Sequence, residues 1–244
     1  MIPAETLNTA PPTVAPEARL VALADPQSPA AEQYRVLYHR LVRLAARRPA
    51  RVVAITTAGR GEGRTTTAAN LALTAVGEGR SVLLVEADLR RPALANLLGL
   101  APRAGLGEVL EGTAELAQAV ARLGSLSVLC AGQVRDAGAA LRSARAAAVV
   151  DALRAGWDHV YLDAPPALAF ADGDRVVAEA DLAVLVVRAG VTPRQVVGLA
   201  LEALGERTAG IVMNGVDPAA TLHGRWLYAD AQDATPARRQ AGAS

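Results

Sequence analysis

The chain reads as an α/β protein built on a three-layer, doubly wound, mainly parallel sheet. Three observations predict this. Strand-length apolar runs alternate with helical stretches from residue 51 to residue 213. The runs, such as Val52-Val53-Ala54-Ile55 and Ser81 to Val85, are continuously apolar, as expected of strands covered on both faces. With 244 residues, 52% of them hydrophobic, the chain can bury one substantial core. This alternation places ligands at the carboxyl ends of the strands.

Taken in order, residues 1–29 hold six prolines among Ala and Thr, which predicts a flexible arm. Ser28-Pro29 is a cap followed by proline at the first helical position, and it opens a helix from about Ala30 to Ala46. Then follow strand 51–56, helix 65–77, strand 81–86, short helices across 93–122 and strand 126–130. Helix 143–155, strand 158–163, helix 173–180, strand 182–188, helix 193–206 and strand 209–213 complete the series. Thr192-Pro193 caps the last helix, whose Val196, Val197, Leu201 and Leu204 make one apolar stripe. Residues 30–216 are therefore read as one folded domain, and 217–244 as an irregular tail.

Aromatic residues make up only 3% of the chain, so the core is expected to be aliphatic. The formal net charge of +1 gives no reason to expect nucleic acid or an anionic membrane as a bulk partner. The single cysteine, Cys130, excludes an intrachain disulfide and a cysteine metal site, and reads as a packed residue at a strand end. No basic-then-apolar leader and no run of eighteen apolar residues is present, so a cytoplasmic chain is expected, held at a membrane only by something else. His39, His159 and His223 lack the spacing of a metal site or a hydrolytic triad and read as incidental.

The chemistry begins at Ala58-Gly59-Arg60-Gly61-Glu62-Gly63-Arg64-Thr65-Thr66, between a predicted strand and a predicted helix. Glycines let successive backbone N–H groups turn inward around phosphate oxygens, at a helix N-terminus that already favours anions. The Thr65 hydroxyl is placed to ligate the Mg²⁺ that travels with a nucleotide. Arg64 stands where such loops carry Lys, and two readings are open. All 25 basic residues are Arg, so composition alone accounts for the change. Alternatively turnover is altered, because a planar fork and a compact point charge differ in a tight phosphate cradle. Binding depends on backbone amides and is expected to suffer less than turnover.

Two acidic motifs end predicted strands. In Glu86-Ala87-Asp88-Leu89-Arg90-Arg91-Pro92, an extended backbone points the Glu86 and Asp88 carboxylates the same way. One can then hold Mg²⁺ while the other accepts a hydroxyl proton; the alternative is surface pairing with Arg90 and Arg91. Asp163, in Asp163-Ala164-Pro165-Pro166, ends an apolar strand, where an acid is costly unless ligated. It is read as holding Mg²⁺ through water, the alternative being a turn cap. Asp172 and Asp174 read as turn and cap residues. Asn214 reads either as a base contact or as a plain turn residue.

These motifs, in this order, resemble the cytoplasmic kinase domain of the bacterial tyrosine kinases that govern capsule and exopolysaccharide assembly. That family falls among the deviant phosphate-loop ATPases, with plasmid-partition and division-site proteins. The resemblance covers about residues 28 to 216, including Ala68-Ala69-Asn70-Leu71-Ala72, Asp181 to Gly190 and Gly210 to Asp217. It implies the P-loop NTPase fold, ATP and Mg²⁺ as cofactors, and protein tyrosines as substrates. It puts Arg64 at the terminal phosphates, Thr65 and Asp88 near Mg²⁺, and Asp163 as the strand-end acid near the metal. Glu86 falls at the acid that activates the tyrosine hydroxyl, and Asn214 near adenine.

Glu32 and Arg35 look like the start of a helix motif through which these kinases assemble into rings. Tyr38 stands where the last Arg of that motif would be, so a homo-oligomer is expected but a closed ring is in question. The tyrosine-rich tail of the family is reduced here to Tyr228, beside Trp226. The lack of a spanning segment resembles the split arrangement, in which a separate membrane-spanning polysaccharide co-polymerase activates the kinase at the inner face of the membrane. Two other readings stay open: a catalytically impaired nucleotide-binding regulator of the same system, and a partition-type ATPase. Gly59, where that last group carries a second loop Lys, argues against it.

Overall fold

The computed structural model describes residues 20–169 and 171–216. The chain divides into a unit ending at Asn214 and a second beginning at Gly215, and the architecture that follows belongs to the first. It opens with α1 (Val21–Ala24), α2 (Pro29–Arg47), β1 (Val52–Thr57), α3 (Arg64–Gly77) and β2 (Val82–Glu86). Next come α4 (Leu94–Leu98), α5 (Leu106–Glu111), α6 (Leu116–Ala119), β3 (Ala121–Leu123) and β4 (Leu126–Leu129). The series closes with α7 (Ala137–Leu141), α8 (Ala144–Gly156), β5 (His159–Asp163), α9 (Ala171–Ala178), β6 (Leu182–Arg188), α10 (Arg194–Leu204) and β7 (Thr208–Asn214).

The seven strands lie in the order β3-β4-β2-β5-β1-β6-β7, parallel throughout except for the β3–β4 pair. The pleat sends alternate side chains to two cores. Val52, Ala54, Leu83, Val85, Val160, Leu162, Ala183 and Leu185 face one core, which α5 and α7 to α10 complete. Val53, Ile55, Val82, Leu84, Tyr161, Val184 and Val186 face the other, beneath α1 to α4. Double coverage is the reason these strands show no polar alternation.

Acids at the strand starts pin the register. Asp181 Oδ2 accepts the Arg51 and Val52 N–H groups at 2.8 Å each, while its Oδ1 takes Arg154 Nη2 at 3.1 Å. Ser28 caps α2, accepting the Ala31 N–H at 3.2 Å, with Pro29 at the first helical position as expected.

The structure corrects two expectations about elements. The arm predicted over 1–29 is folded in its last ten residues. Leu20 is fully buried beneath the sheet, and the Ala22 N–H donates to Asn70 Oδ1 at 3.0 Å. The segment holds against the surrounding prolines because Leu20 enters the core that α3 helps to form, while Leu23 stays exposed. The region 93–122 also ends in β3, which turns at Gly124 (φ +58°) to pair antiparallel with β4. Residues 131–142, to which no element was assigned from sequence, hold α7, capped by Asp136 Oδ1 on the Ala139 N–H at 3.0 Å. The predicted tail and Tyr228 lie outside the described residues.

Asn70 also donates from Nδ2 to the Thr66 carbonyl at 2.9 Å, so one buried amide ties the N-terminal segment to the helix behind the phosphate loop. Asn70→Ala leaves the part-buried Ala22 N–H without its acceptor and is expected to cost about 1–2 kcal/mol. Hydrogen exchange checks this: the Ala22 N–H and its neighbours should lose protection before the sheet does.

Cys130 is buried just past β4, and burial beside Glu86 pushes its thiol up to about 11, as suits an inert packed residue. His159 opens β5, its ring packed between those of Tyr38 and Tyr161, with centroids at 5.8 and 6.1 Å. Burial, with help from Arg80, holds its pKa below the ordinary histidine value. It stands at the strand end opposite the phosphate loop.

Candidate nucleotide site

The loop from Ala58 to Gly63 joins β1 to α3 at the carboxyl edge of the sheet. Gly61 (φ +72°) and Gly63 (φ +91°) occupy left-handed backbone, and Gly63 is the N-cap of α3. A loop this glycine-rich holds one shape only if something fastens it, and side chains from three strands do so. Thr57 Oγ1 donates to the Gly59 carbonyl at 2.6 Å. Arg188 Nη1, at the end of β6, reaches the Gly61 carbonyl at 3.3 Å. Asn214 Nδ2, the last residue of β7, donates to the Glu62 carbonyl at 2.9 Å. Buried Glu62 in turn accepts from the Thr192 hydroxyl at 2.6 Å.

Asn214 thus braces the loop from behind. Arg188 was not singled out from sequence, and Thr192 only as a cap of the last helix, to which it gives no side-chain bond; both meet the loop across about 130 residues of chain. Opposite the loop, Thr56 Oγ1 donates to the Pro165 carbonyl at 2.7 Å, which sets the segment after Asp163 against β1.

The loop, Arg64, Thr65, Thr66, Asp88, Arg90, Arg91 and Pro166 enclose a cleft of about 340 Å³. Asp88 and Asp163 are drawn together here by Arg64. Its Nε donates to Asp163 Oδ1 at 2.7 Å, and its Nη2 to Asp88 Oδ2 at 3.0 Å. Asp88 Oδ1 accepts the Arg91 N–H at 3.2 Å. Asp163 Oδ2 is buried and has no partner among the described residues. Burial pushes the Asp163 carboxyl up to about 6, while the Arg64 guanidinium and the Thr65 hydroxyl oppose the rise. Above neutrality it is therefore an anion facing Arg64.

Glu86 does not join this group. It lies level with Asp163 on the neighbouring strand, yet its carboxylate turns the other way. Oε1 accepts the Ala93 and Leu94 N–H groups, the latter at 2.6 Å, and Oε2 accepts the Ala131 N–H at 3.0 Å. Ala93 is the N-cap of α4 and has no side-chain acceptor, so Glu86 caps that helix from upstream. The shared direction expected of Glu86 and Asp88 fails because the strand ends at Glu86 and the backbone turns.

Asp172 is likewise no simple turn residue. It is buried, and its Oδ2 accepts from Arg90 Nε at 2.5 Å, which fixes Arg90 at the mouth of the cleft. Tyr38 is a core residue, edge-on to His39 at 5.3 Å and to His159. Arg35 is held within its own chain by Glu32 at 2.6 Å and the Pro26 carbonyl at 2.8 Å.

The orphaned Asp163 oxygen, the Asp88 carboxylate and the Thr65 hydroxyl are hard oxygen donors of the kind Mg²⁺ takes. Among the described residues no group of three or more Asp, Glu, His or Cys could hold a metal alone. That suits an ion which binds through one or two carboxylates plus phosphates and water.

A glycine-rich loop closing onto a helix N-terminus, with acids at the ends of two adjacent parallel strands, defines the class of phosphate-loop nucleotide-binding proteins. Solved structures agree on the fold. The chain superposes on the septum site-determining protein MinD complexed with Mg-ADP from Pyrococcus horikoshii at a TM-score of 0.57, with 24% identity over 72% of this chain and 76% of that one. It superposes more fully on the kinase domain of the Escherichia coli tyrosine kinase ETK, at a TM-score of 0.78 and 28% identity, covering 81% of this chain and 80% of that one.

No protein-family profile matches the chain. Individual relatives do. Tyrosine-protein kinase YwqD of Bacillus subtilis is 35% identical over 202 residues, 80% of this chain and 85% of the relative. The succinoglycan biosynthesis transport protein ExoP of Rhizobium meliloti is 29% identical over 79% of this chain, which spans only 26% of that longer protein. The chain belongs to the bacterial tyrosine kinase family. Among the described residues no helix is long and apolar enough to cross a membrane.

Proposed function

We propose that the chain is an ATP-dependent protein-tyrosine kinase acting in capsule or exopolysaccharide assembly, with a separate membrane-spanning co-polymerase as its activating partner. The single observation that carries the reading is the braced phosphate loop set over Asp88 and Asp163. Thr65, Asp88 and Asp163 would hold Mg²⁺, which would supply neutralisation of the charge that develops on the transferred phosphate. The amides of residues 59–66 bind the phosphates. Glu86, whose carboxylate accepts three backbone N–H groups, is too engaged to accept the tyrosine hydroxyl proton. The match to one portion of ExoP, a transport protein, supports a place beside such an assembly at the inner face of the membrane.

A second reading is favoured by one observation. Arg64 ties up both site acids, as expected of a homologue that binds nucleotide and regulates without turnover. Labelled ATP with Mg²⁺ separates the two. Label on protein tyrosine supports the kinase; tight binding with neither label nor released phosphate supports the regulator. If ATP does not bind at millimolar concentration, both readings fall.

A further inference from the structure

We propose that Arg64 and a divalent cation compete for the same two carboxylates, so that this chain binds its nucleotide with little dependence on Mg²⁺. The proposal deepens the nucleotide reading above and rests on it.

The geometry leaves few oxygens to share. Asp88 Oδ2 and Asp163 Oδ1 both accept from the Arg64 guanidinium, and Asp88 Oδ1 already accepts a backbone N–H. Asp163 Oδ2 alone is without a partner in this group, and it is buried. A cation that binds both acids must sit against the Arg64 guanidinium, a like charge already on one oxygen of each. The side chain is only 12% exposed, so the pairings are poorly screened by water.

Arg suits this role for a physical reason. Its fork presents separate donors to two carboxylates at once, and it is more weakly hydrated than an ammonium, so it sits between buried acids at lower cost. A Lys at the same position brings one nitrogen and cannot span both in this way. Arg64 also lies in the first turn of α3, against the phosphate loop. Left in place, the fork cancels the negative charge that two bare acids would turn on the phosphates, the repulsion a divalent ion otherwise relieves. The charge that a divalent ion supplies elsewhere is thus built into the chain.

The test measures ADP affinity by calorimetry on the full chain, with Mg²⁺ and with a chelator, for the native protein, Arg64→Lys and Arg64→Gln. Removing Mg²⁺ should weaken ADP binding by less than about threefold in the native chain and by about tenfold or more in the variants, a coupling of ordinary size for linked ligands. Equal Mg²⁺ dependence in all three overturns the proposal and leaves the nucleotide reading intact. Failure of every form to bind ADP overturns the nucleotide reading itself. A melting series with Mg²⁺ alone tests the competition without any nucleotide. Mg²⁺ should raise the Tm of Arg64→Gln, whose two acids face each other uncompensated, and leave the native Tm unchanged. A rise of the same size in both sinks the idea.

Discussion

Glu86→Ala is expected to lower the unfolding free energy by about 3–5 kcal/mol, enough to unfold much of the population at 37 °C in a domain of ordinary stability. The side chain is 1% exposed, and its two oxygens accept three backbone N–H groups from two separate loops. Alanine leaves all three donors inside the protein without water or partner, at roughly 1–3 kcal/mol each, less whatever the loops recover by relaxing. Glu86→Gln should retain part of the loss, because its amide nitrogen meets N–H groups with a donor. Glu86→Asp falls one methylene short of holding both loops and should lie between. Urea unfolding of the three variants checks the order. The opposite result, full stability with lost phosphate transfer, would restore Glu86 to the catalytic role its motif suggests.

Gly63→Ala should weaken nucleotide binding about a hundredfold, close to 3 kcal/mol. Two effects add. The backbone at φ +91° lies where a side chain is unfavourable, and the new Cβ would lie 1.9 Å from Asn214 Nδ2. Asn214 cannot withdraw freely, since it ends β7 and fastens the Glu62 carbonyl. The loop relieves the strain by leaving its cradle shape, and binding must reimpose it. Gly61→Ala provides the internal standard. Its φ of +72° carries the same backbone penalty, but no atom lies within 4 Å of the added Cβ, so its loss should be several times smaller. Adding Asn214→Ala to Gly63→Ala should recover part of the affinity, a non-additivity expected only if the collision is real. Calorimetry with ADP reads all four forms.

The strands, their order along the chain and the phosphate loop were legible because each rests on local physics. Continuous apolar runs of strand length between turn residues fit doubly covered strands, and glycines at strand-to-helix junctions are what a phosphate cradle requires. Asp163 ends β5 and Asp88 follows β2, and the fold brings both to Arg64. The errors share one origin. Glu86 and Asp88 are two residues apart and were read as partners, but the turn after β2 sends one carboxylate to a helix cap and the other to Arg64. Asp172 meets Arg90, Asn70 meets Ala22 and Thr192 meets Glu62 across chain separations of 82, 48 and 130 residues, where no local pattern operates. Tyr38 was measured against a surface motif, yet it lies in the core against His159.

Taken alone, the order of residues determined the layered α/β architecture and the family. Periodicity and backbone permissiveness are properties of short segments, so they survive without knowledge of the fold. The assignment of the carboxylates to tasks was decided only when strands distant in sequence were laid side by side. A carboxylate's role follows from which donors it faces, and here tertiary packing gave Glu86 three amides and gave Asp88 and Asp163 one shared arginine.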